Sequence, residues 1–297
     1  MEQSKNKKRK ALFIINPISG VHNKKGLEEL ISSNLDKNKF DYSVKYSEAP
    51  GHAIELASQA VKDGVEIIIA VGGDGTVNEV GQALVGTSAI LGIIPCGSGN
   101  GLARHLKIST NRKKAIDVIN KLNVKKIDTA TVNGKVFISI AGLGYDAYVA
   151  RQFSKASKRG FFTYFRIVSE EYIKYQPKKY TLEIDGKTIQ RKALLITLAN
   201  SNQFGNNVSI SPRASVDDGF IDVCIVRRIP VFLLPFYVPM LFLKTFNKTH
   251  YIEIIRAKSV IIHRGKNKSI HLDGDPYRMG DTIEMTVNPQ SLNIIFP

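Results

Sequence analysis

Cysteine is scarce in this sequence: Cys96 and Cys224 are the only two among 297 residues. So few, and so far apart, they argue against a disulfide framework and fit a reducing cytoplasm. A long apolar run is also missing. The most apolar stretch, Val231 to Phe246, is 16 residues long and is interrupted by Pro235, Pro239 and Lys244, whereas a membrane-spanning helix needs about 20 apolar residues. That stretch is expected to be either a buried helix or an interfacial segment. The first ten residues are basic, but the apolar run after them, Ala11 to Ile15, ends at Asn16-Pro17 and is too short for an export signal. There are no internal repeats, and no low-complexity tract beyond the basic tail. Acid is under-represented: 42 Lys and Arg against 26 Asp and Glu leave a formal charge of +16, which favours anionic partners such as nucleic acid, acidic lipid or phosphate. No nucleic-acid-binding motif accompanies that charge, so no nucleic-acid partner is expected. His52, His105 and His271 do not share metal-ligand spacing and are assigned surface or hydrogen-bonding roles.

What is present is globular composition, 43% hydrophobic and 23% charged, at a length that suits two domains. In the first half, short apolar strands (Ala11 to Ile15, Glu66 to Val71, Ile90 to Ile94) and a strand at Phe40 to Tyr46 alternate with helical periods at Leu27 to Leu35, Ala53 to Val61, Thr76 to Leu84, Leu102 to Leu106 and Arg112 to Leu122. Apolar strands between helices predict a parallel sheet covered on both faces. From about Lys125 the character changes. Strand-like runs follow at Lys126 to Val132, Val136 to Ala141, Tyr180 to Ile184, Ala193 to Ala199, Phe220 to Val226, Ser259 to His263 and Thr282 to Val287. Asn133-Gly134 and Asp185-Gly186 are hairpin signals, and one long helix is expected over Phe161 to Tyr175. The fold class is therefore an α/β N-terminal domain, residues 1–125, followed by a mainly antiparallel β-sandwich, residues 126–287.

Three glycine-bearing loops in the first half each follow a buried strand: Asn16-Pro-Ile-Ser-Gly20, Gly72-Gly-Asp-Gly-Thr-Val-Asn-Glu79 and Gly97-Ser-Gly-Asn-Gly101. In a parallel sheet such turns gather at the carboxyl edge, where glycines let phosphate approach the backbone and helix N-termini supply N–H groups. No Gly-x-x-x-x-Gly-Lys-Ser/Thr loop occurs, so this is not a P-loop protein. Asp74 stands inside the second loop. An acid beside phosphate suits a Mg²⁺ handle or a hydroxyl acceptor in phosphoryl transfer.

Val71-Gly-Gly-Asp-Gly-Thr-Val-Asn-Glu-Val80 resembles the signature of the diacylglycerol kinase and sphingosine kinase superfamily, distantly shared with NAD kinases and phosphofructokinases. Asn16-Pro-x-Ser-Gly20, Pro95-Cys-Gly-Ser-Gly-Asn-Gly-Leu-Ala103, Arg159-Gly-Phe-Phe-Thr-Tyr164, Ala199-Asn-Ser-Asn-Gln-Phe-Gly205, Ser211-Pro-Arg-Ala-Ser-Val-Asp-Asp-Gly219 and Leu272-Asp-Gly-Asp275 follow in the family's order. The likeness is greatest to its bacterial soluble lipid kinases.

The resemblance implies a nucleotide-binding first domain to which residues 288–297 return, and a second domain for the lipid substrate. It implies that ATP is held by Asn16, Pro17, Ser19 and Gly20, by Gly72, Gly73, Asp74, Gly75, Thr76, Asn78 and Glu79, by Gly97 and Ser98, and by Ser47 after the second strand. It places the catalytic base at Asp275, where the family's Leu-Asp-Gly-Glu motif carries Asp instead of Glu, with Asp74 as the other catalytic carboxylate. It implies a Mg²⁺ held by Asp218 with the main-chain oxygens of Ser215 and Phe220. ATP and Mg²⁺ are thus the expected cofactors, and the expected activity is transfer of phosphate to the primary hydroxyl of a lipid alcohol, diacylglycerol or sphingoid/ceramide-like. An NAD-kinase-type enzyme acting on a soluble substrate and a nucleotide-binding membrane module without activity are the alternatives. The expected location is cytoplasmic, peripheral at the inner face of an anionic membrane, with Val231 to Phe246 and Lys155, Lys158, Arg159 and Arg166 as candidate contacts. A homodimer is left open.

Overall fold

The computed structural model describes residues 8–18, 26–156, 161–265 and 268–297. They cluster into two units, one running to Ile127 and including Ser291–Pro297, the other Asp128–Gln290.

The first unit alternates strand and helix: β1 (Arg9–Ile15), α1 (Leu27–Asn34), β2 (Phe40–Tyr46), α2 (His52–Lys62), β3 (Ile67–Gly72), α3 (Asp74–Leu84) and β4 (Ile90–Pro95), then α4 (Gly101–His105) and α5 (Arg112–Lys121). The strands run parallel in the order β2-β1-β3-β4. Every residue of β3 and β4 is buried, which is why these strands read as unbroken apolar runs. Asn293 and Ile294 near the C-terminus extend the sheet, pairing in parallel with Ile90 and Leu91.

In the second unit come β5 (Val124–Val132, its first residues still in the first unit), β6 (Lys135–Phe137), β7 (Ile140–Gly144), α6 (Tyr145–Ser154), α7 (Phe161–Lys174) and β8 (Lys178–Ile184). β9 (Lys187–Ala193), β10 (Leu195–Ala199), β11 (Ile221–Val226), α8 (Leu234–Phe242) and β12 (Ile252–Ala257) follow. The unit is completed by β13 (Ser259–Arg264), β14 (Ser269–Leu272), β15 (Asp275–Arg278) and most of β16 (Thr282–Ile295). One sheet has the order β12-β11-β10-β7-β14-β15, and strands β16-β13-β8-β9 form a second. A core drawn from both, including Phe137, Leu143, Leu182, Ile196, Val260 and Met285, fills the sandwich. On the outer side of the first of these sheets, Ile140, Cys224 and Val226 pack beneath α8, and Tyr145, Val149 and Tyr172 join α6 to α7.

Asn133-Gly134 and Asp185-Gly186 both make two-residue turns with positive φ at each position, the hairpin geometry their sequences predict. Several strands differ from the pattern. Val136 to Ala141 is two strands, because the N–H groups of Ile138 and Ser139 turn to the Asp273 carboxylate instead of a neighbouring strand. Ala193 to Ala199 breaks at Leu194, where the chain leaves one sheet for the other. Thr282 to Val287 continues to Ile295, and α6, β12, β14 and β15 give no clear periodic signal. No described helix is long and apolar enough to cross a membrane. Val231 to Phe246 instead holds the short helix α8 flanked by single 3-10 turns.

Candidate active site

β1 lies between β2 and β3: the chain runs from β1 out to β2, crosses back past β1 to β3 and then continues outward to β4. The crevice at the carboxyl ends of β1 and β3 is the place where an open parallel sheet binds ligands. Gly72 closes β3 there, and a Cβ on it would lie 2.3 Å from Thr76 Oγ1. Gly73 and Gly97 meet backbone to backbone; a Cβ on Gly97 would stand 2.5 Å from Gly73 Cα. Loop-on-loop contact therefore requires glycine at Gly97 and leaves little room for a side chain at Gly73. Cys96 N–H donates to Gly72 O at 2.7 Å, and Asn16 Nδ2 donates to Thr76 Oγ1 at 3.2 Å, which binds all three loops together. Asn100, in the left-handed region, accepts the Gly97 N–H and donates back to its carbonyl.

Asp74 is the hub of this arrangement. Its carboxylate accepts the N–H of Asn100 at 2.8 Å and of Gly101 at 2.6 Å. Ser47 is buried at the end of β2, its N–H donating to Ile15 O. Thr76 and Asn78 are buried within α3, and Gln82 Nε2 donates to Asn78 Oδ1. Pro17 and Ser98 are exposed, with Gly75 half-buried. Ser19 and Gly20 lie outside the described residues. Glu79 faces elsewhere: its carboxylate accepts the Gly51 and Ala53 N–H groups and so caps α2. A cavity of about 200 Å³ beside the third loop is lined by Pro95, Gly97, Asn100, Arg104 and Arg112 among others.

The second unit carries the Leu272-Asp-Gly-Asp275 motif on the β14–β15 hairpin, with Leu272 paired to Asp275 across a two-residue turn. Asp273 is almost fully buried and accepts three backbone N–H groups, from Ile138, Ser139 and Ile140, each at 2.8 Å. Asp275, the next acid, is half-buried. His271, expected at the surface or in a hydrogen bond, is only 2% exposed. Its Nε2 lies 2.8 Å from Asp146 Oδ2, and its Nδ1 accepts the Gly274 N–H at 3.3 Å. Burial alone would lower the His271 pKa, but the charges of Asp146, Asp273 and Asp275 outweigh it and raise it above the usual imidazole value.

Ser215, Asp218 and Phe220 share one turn. Asp218 Oδ1 accepts the Phe220 N–H, and Oδ2 is paired with Arg256 at 2.6 Å. The Arg256 guanidinium also stacks over the Phe220 ring, 4.5 Å from its centroid. A divalent cation on this carboxylate would meet the charge of Arg256. Among the described residues no three His, Cys, Asp or Glu side chains are grouped so that they could hold a metal ion.

Comparison with known proteins shows which family these two sets of residues belong to. Residues 10–132 match the diacylglycerol kinase catalytic domain, and residues 139–296 match the YegS C-terminal NAD kinase beta sandwich-like domain. The chain belongs to the diacylglycerol kinase family. It is 28% identical to a diacylglycerol kinase of Bacillus subtilis (strain 168) over 273 residues, 90% of each chain. A diacylglycerol kinase of Staphylococcus aureus (strain bovine RF122 / ET3-1) is 31% identical over 226 residues, 74% of this chain and 71% of that one. The crystal structure of a diacylglycerol kinase from Bacillus anthracis str. Sterne superposes with a TM-score of 0.76 at 23% identity, covering 97% of both chains. An NAD kinase from Archaeoglobus fulgidus, in complex with ATP, shares the fold at a TM-score of 0.53, 13% identity, 96% of this chain and 93% of that one.

This kinase also has buried polar residues that sequence reasoning passed over. Asp146, at the start of α6, has only an acid just after an apolar strand to announce it. Asp128 sits fully buried in β5, accepting N–H groups from Gly219 and Gln290. Asn200 donates to the carbonyls of Asp128 and Ile138. A lone acid among the β-formers of Ile127-Asp-Thr-Ala-Thr-Val132 was the available signal for Asp128.

Proposed function

We propose that this kinase moves the γ-phosphoryl group of ATP to the primary hydroxyl of a lipid alcohol, with Asp275 as the base. One observation carries this reading. Asp273 spends its carboxylate on three backbone N–H groups, so the motif's structural and chemical duties fall on different acids, and Asp275 is the half-buried one. In this reading Asp275 accepts the hydroxyl proton as the oxygen attacks phosphorus. The loops at Asn16–Gly20, Gly72–Asn78 and Gly97–Ser98 hold the phosphates on backbone N–H groups, with Ser47 beside them.

Mg²⁺, when bound with ATP, neutralises charge on the phosphate oxygens. Asp74 suits it: a carboxylate set among the glycine loops by the N–H groups of Asn100 and Gly101 is a hard oxygen ligand beside the phosphates. Glu79, committed to capping α2, supports the loop rather than the ligand. A second ion at Ser215, Asp218 and Phe220 is part of the proposal on the condition that Arg256 releases Asp218.

The acceptor class has support from the second unit's surface. Leu233, Leu234, Tyr237, Met240 and Leu241 pack inward from the α8 region, while Phe232 (76%), Phe236 (72%) and Leu243 (70%) are exposed. Lys244 and Lys248 are exposed beside them. Apolar side chains ringed by cations suit peripheral contact with an anionic membrane. Lys155 and Arg166 are exposed on the same unit; Lys158 and Arg159 lie outside the described residues. The test is incubation with labelled ATP and a panel of lipid alcohols in mixed vesicles, with and without EDTA. Phosphorylation of NAD in place of every lipid would overturn the reading, and transfer that persists in EDTA would remove the metal from it.

A further inference from the structure

The outer face of the β12–β15 sheet holds a buried polar cluster that the chemistry above does not use. Thr197, Gly142 and His271 stand in register on three adjacent strands, β10, β7 and β14. Asp146 from α6 descends onto the middle of this row. The side chains of His271 and Asp146 are 3% and 7% exposed, and Thr197 Oγ1 lies 3.4 Å from Asp146 Oδ2. Gly142 makes the space: a Cβ there would be 2.2 Å from both Asp146 Oδ2 and His271 Nε2. A buried ion pair adds little net stability over apolar packing, so a strand built around one calls for another explanation.

The hydrogen bonding supplies it. Nδ1 of His271 accepts from Gly274, which leaves the ring proton on Nε2, facing Asp146. Gly274 is the second residue of the turn that ends at Asp275. Nothing lies within 4 Å of where a Gly274 Cβ would stand, so hydrogen bonding rather than packing restrains it. Asp273 is anchored from one side by the N–H groups of residues 138–140, and Gly274 from the other by His271.

We propose that His271 is a positioning residue: set by Asp146 across the gap at Gly142, it holds the Gly274 N–H and so fixes the turn that delivers Asp275. This rests on Asp275 being the base. It assigns Asp146 and His271 no contact with the reacting atoms.

Two substitutions separate the two sides of the ring. His271→Asn keeps an acceptor near the Nδ1 position and loses the reach to Asp146, whereas His271→Gln keeps reach toward Asp146 and loses the acceptor. Steady-state transfer to the best lipid of the panel should show kcat reduced roughly 10- to 100-fold in His271→Gln, the scale of a displaced catalytic group. KM for ATP should stay within about twofold. His271→Asn should recover most of kcat, and amide exchange at Gly274 should quicken only in His271→Gln. Normal kcat in His271→Gln, or equal losses in both variants, would overturn the proposal.

Asp146→Asn is the independent arm should either His271 variant fail to fold. It keeps an oxygen opposite Nε2 and removes the charge. The charged groups facing the ring are Asp146 from α6 and Asp273 and Asp275 from the hairpin; without the first, His271 protonates at lower pH, and the acid limb of kcat should move down with it. An unmoved limb would count against the proposal. Asp275→Asn is assayed alongside: activity there defeats the base assignment itself, whereas its loss together with a normal His271→Gln defeats only the positioning role.

Discussion

Asp74 accepts the N–H of Gly101 at 2.6 Å, and through this contact the loop after β3 holds the first turn of α4. The same carboxylate takes the Asn100 N–H. Its position in the glycine loop after β3 and its bonds to the neighbouring loop are therefore one feature of the fold.

Asp74→Asn tests that feature. Asparagine has one acceptor oxygen, so one of the two N–H groups loses its partner, at about 1–3 kcal/mol. Transfer should fall at least about 100-fold, the scale of losing one strong electrostatic contributor. Thermal unfolding and a kinase assay on the same preparation check both. Unchanged Tm with normal turnover would remove Asp74 from the site.

Asp273→Ala removes three hydrogen bonds at once. The N–H groups of Ile138, Ser139 and Ile140 lie in a buried segment, so a loss of about 3–5 kcal/mol is expected. Urea unfolding measures it. A loss below about 1 kcal/mol, the ordinary net worth of a single hydrogen bond, would show that water or a shifted backbone replaces the carboxylate.

Much of the first unit was legible because parallel strands buried on both faces spell themselves out, as Ile67 to Gly72 does. The glycine loops were legible because close backbone approach excludes a side chain at Gly97 and leaves little room for one at Gly73. The second unit was less so. Its strands break where buried polar groups intervene, at Ile138–Ser139 under Asp273 and at Leu194 where the chain changes sheets, and neither event alters local periodicity. Asp146 and His271 are 125 residues apart in sequence and meet only through sheet register, which no local pattern encodes. Glu79 looked like part of the phosphate loop, yet its side chain leaves that loop for α2.

The His271 pair gives stability a pH dependence of definite sign. Burial disfavours the imidazolium, but Asp146 with Asp273 and Asp275 raises the folded pKa above the unfolded one. The pair's contribution is then fully present below the unfolded value of about 6.5 and is lost as pH rises through the folded value. The stability gap between the wild type and His271→Gln should be wider below the unfolded value of about 6.5 than at alkaline pH. A pH-independent gap would contradict it. Protonation also costs Nδ1 its role as acceptor for Gly274, so the fold and the turn favour opposite ends of this range.

Contact with a membrane predicts its own salt response. Each basic residue near an anionic surface contributes roughly 1 kcal/mol, and salt shortens the range of that attraction. Vesicle binding should rise with anionic lipid and fall steeply as salt increases. Replacing Phe232, Phe236 and Phe242, exposed by 76%, 72% and 41%, with Ser should lower turnover on vesicles more than on a short-chain soluble analogue. Equal losses on both would mean that these rings serve packing.

The central claim is that Asp275 accepts the proton of a lipid hydroxyl during phosphoryl transfer. The most direct measurement compares the wild type with Asp275→Asn, following labelled phosphate from ATP into the lipid alcohol and, separately, the Kd for ATP. Transfer should be abolished while ATP affinity stays within about twofold, since the base acts only at the chemical step. An Asp275→Asn enzyme that still phosphorylates lipid at the wild-type rate would contradict it.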